Sequence, residues 1–342
     1  MKHPSPLVAL GLILCILATS CAAPTKPSAG CDVFFGVAAN PHGDENWDTA
    51  LTNFERTVGR PVDIVHYYKR GQDTMFPNET ELNRQDELGS ERILFYNWKP
   101  DSLTWRQVAD GEADAYLSEL AAHMTREADK PFFLSLNAEM EDEVNEDGKS
   151  GQTAADFRDF FRHTVEVLSR TNPETIVTVM NYTGTQKWSE KPWFEDLYPG
   201  NDVVDWIAQD PYAFDLAATP DIFQLANQTS GGSWPGFYQW AAANFPDKPQ
   251  MLAEWGVNEK TRGSHSKASF FGSAEEKLSR MPKLRALVYW DHPEVTTEGE
   301  ELNVGHTNIQ SSPEALSAFN SFVNGPSLTS ERSCQIGPSQ SG

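Results

Sequence analysis

Eight short apolar runs, each parted from the next by a polar or amphipathic stretch, constrain this 342-residue chain more than any other feature. They are VFFGVA from Val33, VDIVHYY from Val62, RILFYNW from Arg92 and FFLSLN from Phe132, then TIVTVMN from Thr175, VVDWIAQD from Val203, QMLAEW from Gln250 and LRALVYW from Leu284. Helical spacing fills the gaps. Between Asp110 and Lys130, residues Ala113, Tyr116, Leu117, Leu120 and Met124 fall on one face, and between Ala154 and Arg170 the same holds for Phe157, Phe160, Phe161, Val165 and Leu168. A third such pattern, SPEALSAFNSFVN, has Ser312 or its neighbour as cap. Strands apolar throughout that alternate with amphipathic helices indicate a parallel sheet covered by helices. Eight units, with no Gly-rich phosphate loop after the first strand, predict a single-domain α/β fold of the (β/α)8 TIM barrel type over residues 31–325.

A formal charge of −22 and a pI near 4.7 argue against nucleic acid or an anionic membrane surface as partner. Residues 1–21 carry a lone Lys2, an apolar run too short to span a bilayer, and LATSC, which resembles a bacterial lipoprotein cleavage site with Cys21 as the lipidated residue. A plain signal peptide cut near CAAP is the alternative. Residues 22–30 have the Pro, Ser, Ala and Gly content of a tether, and residues 326–342 form a C-terminal tail. A membrane is therefore expected only through a lipid anchor, the location is extracytoplasmic, and the chain is expected to be a monomer. With Cys15 and Cys21 in the leader, Cys31 and Cys334 bracket the domain and suggest a disulfide across its ends; free terminal thiols are the alternative.

In a barrel the C-terminal strand ends face the active site. Those ends carry His66, Tyr67 and Tyr68; Tyr96, Asn97 and Trp98; Asn137 and Glu139; Asn181 and Tyr182; Asp210 and Tyr212; Glu254 and Trp255; Trp290 and Asp291. Carboxylates, amides, phenols and indoles together suit a carbohydrate, whose hydroxyls need polar partners and whose C–H faces need flat rings. Glycosidic cleavage needs two carboxyl groups, one protonated to donate to the leaving oxygen and one ionised to attack, roughly 5 to 5.5 Å apart when configuration is retained. Glu139 and Glu254, on the fourth and seventh runs, are the candidate catalytic pair. Asn137, Tyr212, Trp98, His66, Tyr68, Asn181, Trp255 and Trp290 are the candidate substrate-binding residues. Trp98, Trp255 and Trp290 could equally be core, Asn137 a turn former, and His66 a satisfied buried residue. Glu141, Asp142 and Glu143 read as a solvated loop. No cofactor is expected, since neither a His-rich metal pattern nor a Gly-x-Ser-x-Gly elbow is present.

With those residues placed, the chain resembles glycoside hydrolase family 26, a retaining barrel family of β-mannanases that includes some β-glucanases and xylanases. The likeness rests on WFEDLYPGNDVVDWIAQDPYAFD, LNAEME, MLAEWGV, VHYY and LVYWD. It implies Glu139 as acid/base, Glu254 as nucleophile and Tyr212 as the residue orienting the nucleophile. Relatives commonly keep a histidine directly before the acid/base glutamate and an arginine a few residues earlier; here those places hold Ala138 and Ser135. The expected substrate is a β-linked polysaccharide, β-mannan first, with a mixed-linkage glucan or xylan as alternative. A carbohydrate-binding lipoprotein without turnover is the rival from another class.

Overall fold

Strands β1 (Phe34–Ala39), β2 (Ile64–Arg70), β3 (Ile93–Lys99), β4 (Phe132–Leu136), β5 (Ile176–Tyr182) and β6 (Trp206–Gln209) pair in sequence order, all parallel. After a two-residue strand, β7 (Tyr212–Ala213), come β8 (Gln250–Val257) and β9 (Leu284–Asp291). Pairing of β6 with β8, β8 with β9 and β9 with β1 closes the ring, so β1–β6, β8 and β9 make an eight-stranded barrel. The computed structural model describes residues 33–41, 44–86, 92–171, 175–258, 266–292 and 307–328, with the single positions Met1 and Ile336. Residues 2–32, which hold Cys21, Cys31 and nearly all of the expected leader and tether, and Cys334 lie outside the described residues.

Period-two alternation sorts the strand side chains. Phe34, Ile64, Phe95, Phe133, Val177, Val179, Trp206, Ala208, Met251, Ala253, Ala286 and Val288 fill the barrel interior. Their neighbours face the helices, where two larger clusters form. Gly36 is fixed by the close approach of β1 to β2, since a Cβ there would lie 2.7 Å from that of Ile64.

The helical patterns form as the spacing predicts, with one shift. The helix Asp114–Glu127 buries Tyr116, Leu117, Leu120 and Met124, with Ala113 at its N-cap. The helix Ala154–Leu168 buries Phe157, Phe160, Phe161 and Leu168, but Val165 is only half-buried and Thr164 and Val167 are buried instead. Val165 and Val167 lie on opposite margins of the stripe through Phe157, Phe161, Thr164 and Leu168, and the fold covers the Val167 margin. Each buried Phe contributes roughly 1.5–3 kcal/mol relative to exposure. Ser312 caps the helix Pro313–Val323 by accepting from the Ala315 N–H.

Candidate active site

Glu254 reaches the barrel mouth through an irregularity in β8. Leu252 pairs with Leu287 and Trp255 with Tyr289, so β8 takes three steps where β9 takes two. Such a bulge re-aims side chains next to it. Ala253 faces the interior, Leu252 and Trp255 face the helices, and the Glu254 carboxylate turns to the axis. There Oε1 accepts from the Tyr68 hydroxyl at 2.7 Å and Oε2 from the Tyr212 hydroxyl at 2.8 Å. Tyr68 arrives from the β2 side of Glu254 and Tyr212 from the β6 side, so the carboxylate sits in a clamp of two phenols. Gly256 makes room for one of them, because a Cβ there would lie 3.0 Å from the Tyr212 ring. The Glu254 N–H is held by Asp210 Oδ1 at 2.8 Å, and Asn181 donates its amide to Asp210 Oδ2 at 2.9 Å.

Glu139 is delivered by a different device. β4 stops at Leu136, and Asn137 (φ 52°) and Glu139 (φ 58°) both take the left-handed conformation. Such residues cost on the order of 1–3 kcal/mol each and persist only where the surroundings hold them. Here the Asn137 N–H donates to Trp98 O (2.8 Å), the Ala138 N–H to Asn97 Oδ1 (3.1 Å) and the Glu139 N–H to Asn181 O (3.0 Å). In the following 3-10 turn, Met140–Glu143, Asp142 is exposed and Glu143 half-buried, but Glu141 is not solvated. Glu141 is fully buried and takes both the N–H and the hydroxyl of Thr183, each at 3.1 Å, because the backbone after β5 needs an acceptor there. Asp142 accepts from the Trp188 indole, and Glu143 pairs with Lys99.

Burial and charge set the two carboxyl groups apart. Desolvation first, then the nearby Glu254 charge, pushes Glu139 up to about 8. Desolvation also raises Glu254, but its two phenol donors work in the opposite direction and stabilise the anion. Among the described residues the Glu139 carboxyl accepts no comparable bond. When one negative charge is shared between them it therefore rests on Glu254, and Glu139 keeps its proton. Burial, then the charge on Glu254, holds Tyr68 and Tyr212 well above the usual phenol range, so both remain neutral donors. Asp210 is also raised, by burial and then by the Glu254 and Glu139 charges. Removing the Tyr212 hydroxyl tests the clamp. Hydrogen bonds to charged groups are worth about 1.5–3 kcal/mol, so Tyr212→Phe should move the acid limb of kcat/KM upward by about one pH unit or more; an unmoved limb would contradict the clamp.

The remaining candidates divide. His66 lies under Tyr68, its Nδ1 at 3.1 Å from that hydroxyl and its ring stacked on Phe95 at 4.0 Å; burial lowers it to about 3, so it is neutral. Trp290 packs its ring edge-on to Tyr68 at 5.5 Å and is half-buried at the mouth. Asn137 points its amide into the protein, accepting from the Trp105 indole at 3.0 Å and donating to Glu143 at 3.1 Å. It braces the Glu139 turn rather than facing the cleft.

Trp98 and Trp255 are corrected to core residues. Trp98 stands one place after the inward Asn97, so alternation turns it outward onto Tyr116 and Phe160, and its indole N–H is taken by Gly71 O. Trp255 is turned outward by the bulge and packs on Phe270, Phe271 and Tyr289 with no exposed surface. Trp255→Ala should cost about 3–5 kcal/mol of stability, read as a large fall in Tm without a specific rise in KM.

Two aromatic residues were missed. Trp47 and Phe214 are the exposed large aromatic side chains among the described residues, at 41% and 39% exposure. Trp47 lies 6.2 Å from Tyr68 and Phe214 is stacked 5.9 Å from Tyr212, one on each arm of the clamp. Phe214 was within reach of the sequence, since it follows Tyr212 at the strand period. Trp47, in the first turn of a helix capped by Asn46, offered no such signal. A cavity of about 660 Å³ contains Glu139, Asp210, Tyr212 and Phe214, and another of about 480 Å³ contains Trp47 and Tyr68.

A β-mannanase of glycoside hydrolase family 26 from Bacteroides ovatus superposes with a TM-score of 0.58, covering 87% of this chain and 90% of that one at 14% identity. The barrel has the fold of that mannanase. A family 39 glycoside hydrolase from Bacteroides cellulosilyticus superposes with a TM-score of 0.59, over 86% of this chain and 64% of its own, at 12% identity. In sequence the chain is 24% identical over 294 residues to endoglucanase H of Acetivibrio thermocellus. That match covers 82% of this chain but spans only 29% of the length of the relative. No family model matches the chain.

Proposed function

We propose that the protein is an endo-acting β-glycan hydrolase of the mannanase type that works by double displacement with retention of configuration. The observation that carries this is the contrast between a carboxylate gripped by two neutral phenols, Glu254, and a desolvated carboxyl that keeps its proton, Glu139. Glu139 donates its proton to the glycosidic oxygen while Glu254 Oε attacks the anomeric carbon, giving a glycosyl ester and a free leaving alcohol. Glu139, now a carboxylate, takes a proton from water, and the hydroxide attacks the anomeric carbon and releases Glu254. Cavities on both arms of the clamp support cleavage within a chain, since sugar units can be held on either side of the bond.

The mannanase likeness of the fold favours β-mannan or glucomannan, and the endoglucanase relative favours a β-glucan as the second reading. Reducing-end release from mannan, glucomannan, mixed-linkage glucan and xylan, followed by product analysis, tests the proposal. Release from mannan or glucomannan is expected, with mid-length oligosaccharides appearing early. Retardation of the protein in gels holding these polymers, without release, would instead support a binding protein. The leader supports export and lipid anchoring at Cys21, which radiolabelled palmitate incorporation with and without Cys21→Ser would test.

A further inference from the structure

We propose that Trp47 and Phe214 are sugar-stacking platforms of the cleft and that they serve opposite sides of the scissile bond; this rests on the hydrolase reading above. An exposed apolar residue standing alone needs no explanation, but two aromatic rings that both border one cleft do. Here the two among the described residues both abut the tyrosines that grip Glu254. The placement is built. Asn46 caps the helix that begins at Trp47 by accepting from the Thr49 N–H at 2.8 Å, and Asp48 in the same turn is bound by Arg84. Phe214 is held in line with Tyr212 by ring stacking, with interplanar angle 22°.

The wall around each ring suits a sugar. Beside Trp47 the 480 Å³ cavity offers the side-chain N–H groups of Asn46 and Asn78 to hydroxyl groups, while Lys69 is held by Glu81, and beside Phe214 the 660 Å³ cavity offers Thr185, Gln228 and Thr229. C–H groups on one face of a pyranose ring rest on the electron-rich face of an aromatic ring, while its hydroxyls reach polar neighbours at the edge. The polarity follows from the proton. The leaving oxygen must lie at Glu139, and Glu139 lines the cavity of Phe214. The departing, reducing-end portion of the chain therefore lies over Phe214, and the portion that becomes esterified to Glu254 extends past Tyr68 onto Trp47.

The two roles separate kinetically with a leaving group too small to reach Phe214. A β-oligosaccharyl fluoride of the cleaved glycan fills only the Trp47 side, whereas a longer oligosaccharide of that glycan fills both. Trp47→Ala should lower kcat/KM about 10-fold on both substrates and so preserve their ratio. Phe214→Ala should lower the oligosaccharide-to-fluoride ratio about 10-fold. Trp47→Phe should recover most of the loss, and Tm should stay near that of the parent because both side chains are exposed. Equal effects of the two variants on that ratio, or no effect of either, would overturn the assignment. Should the parent protein cleave neither substrate, the hydrolase reading fails on its own. Affinity-gel retardation by the panel polymers then decides the platforms: weaker retardation of both variants supports them, and unchanged or absent retardation refutes them.

Discussion

Glu254→Ala is expected to lower glycan hydrolysis on the order of 10⁴-fold or more, since it removes the group that forms the covalent intermediate. The folded protein should survive the change. Glu254 shares its buried surroundings with Asp210 and Glu139, whose carboxyl groups are both raised partly by its charge, so losing it relieves repulsion. Tm should hold or rise. Azide, entering the space left by the side chain, should restore turnover and give an α-glycosyl azide, because the small anion attacks from the side opposite the leaving group. Loss of activity with a collapsed Tm and no azide product would point to a structural role only.

Glu139→Ala should give the second large effect and a different signature. General acid catalysis is worth about 10²–10⁴-fold, so hydrolysis of the polymer should fall by that amount. Substrates with a good leaving group should form the glycosyl ester almost normally and then stall, producing a burst. The pH profile supplies an independent check. Glu139 must be protonated to donate, and burial with the Glu254 charge pushes it up to about 8. Activity of the parent should therefore be lost as pH rises through about 8, and lost on the acid side as Glu254 takes up a proton. In Glu139→Ala the alkaline limb should disappear. An alkaline limb that persists unchanged belongs to some other group and would remove Glu139 from its role.

The barrel was legible in the sequence because fully buried parallel strands leave an unmistakable pattern of apolar runs, and eight of them close a ring. The mouth was legible wherever strands are regular. Inward alternation from Ile64 gives His66 and Tyr68, and from Val177 and Val179 gives Asn181. Applied to β3, the same rule puts Trp98 outside, one place beyond Asn97. Elsewhere the backbone departs from regularity and the sequence carries no mark of it. Strict alternation from Met251 and Ala253 would turn Trp255 inward and Glu254 outward, and the β8 bulge reverses both. The left-handed Asn137 and Glu139 likewise break the period that would have pointed Asn137 into the cleft. Burial of Glu141 beneath Thr183 depends on a partner more than forty residues away, which no local polarity reveals.

The anomeric configuration of the first-formed product shows whether Glu254 is the nucleophile. Proton NMR during early hydrolysis of whichever panel glycan is cleaved would read it before mutarotation. Attack by Glu254 followed by water on the same face as the original bond predicts a β-configured reducing end. An α-configured first product would mean a single displacement by water, and would contradict the assignment of Glu254 as nucleophile.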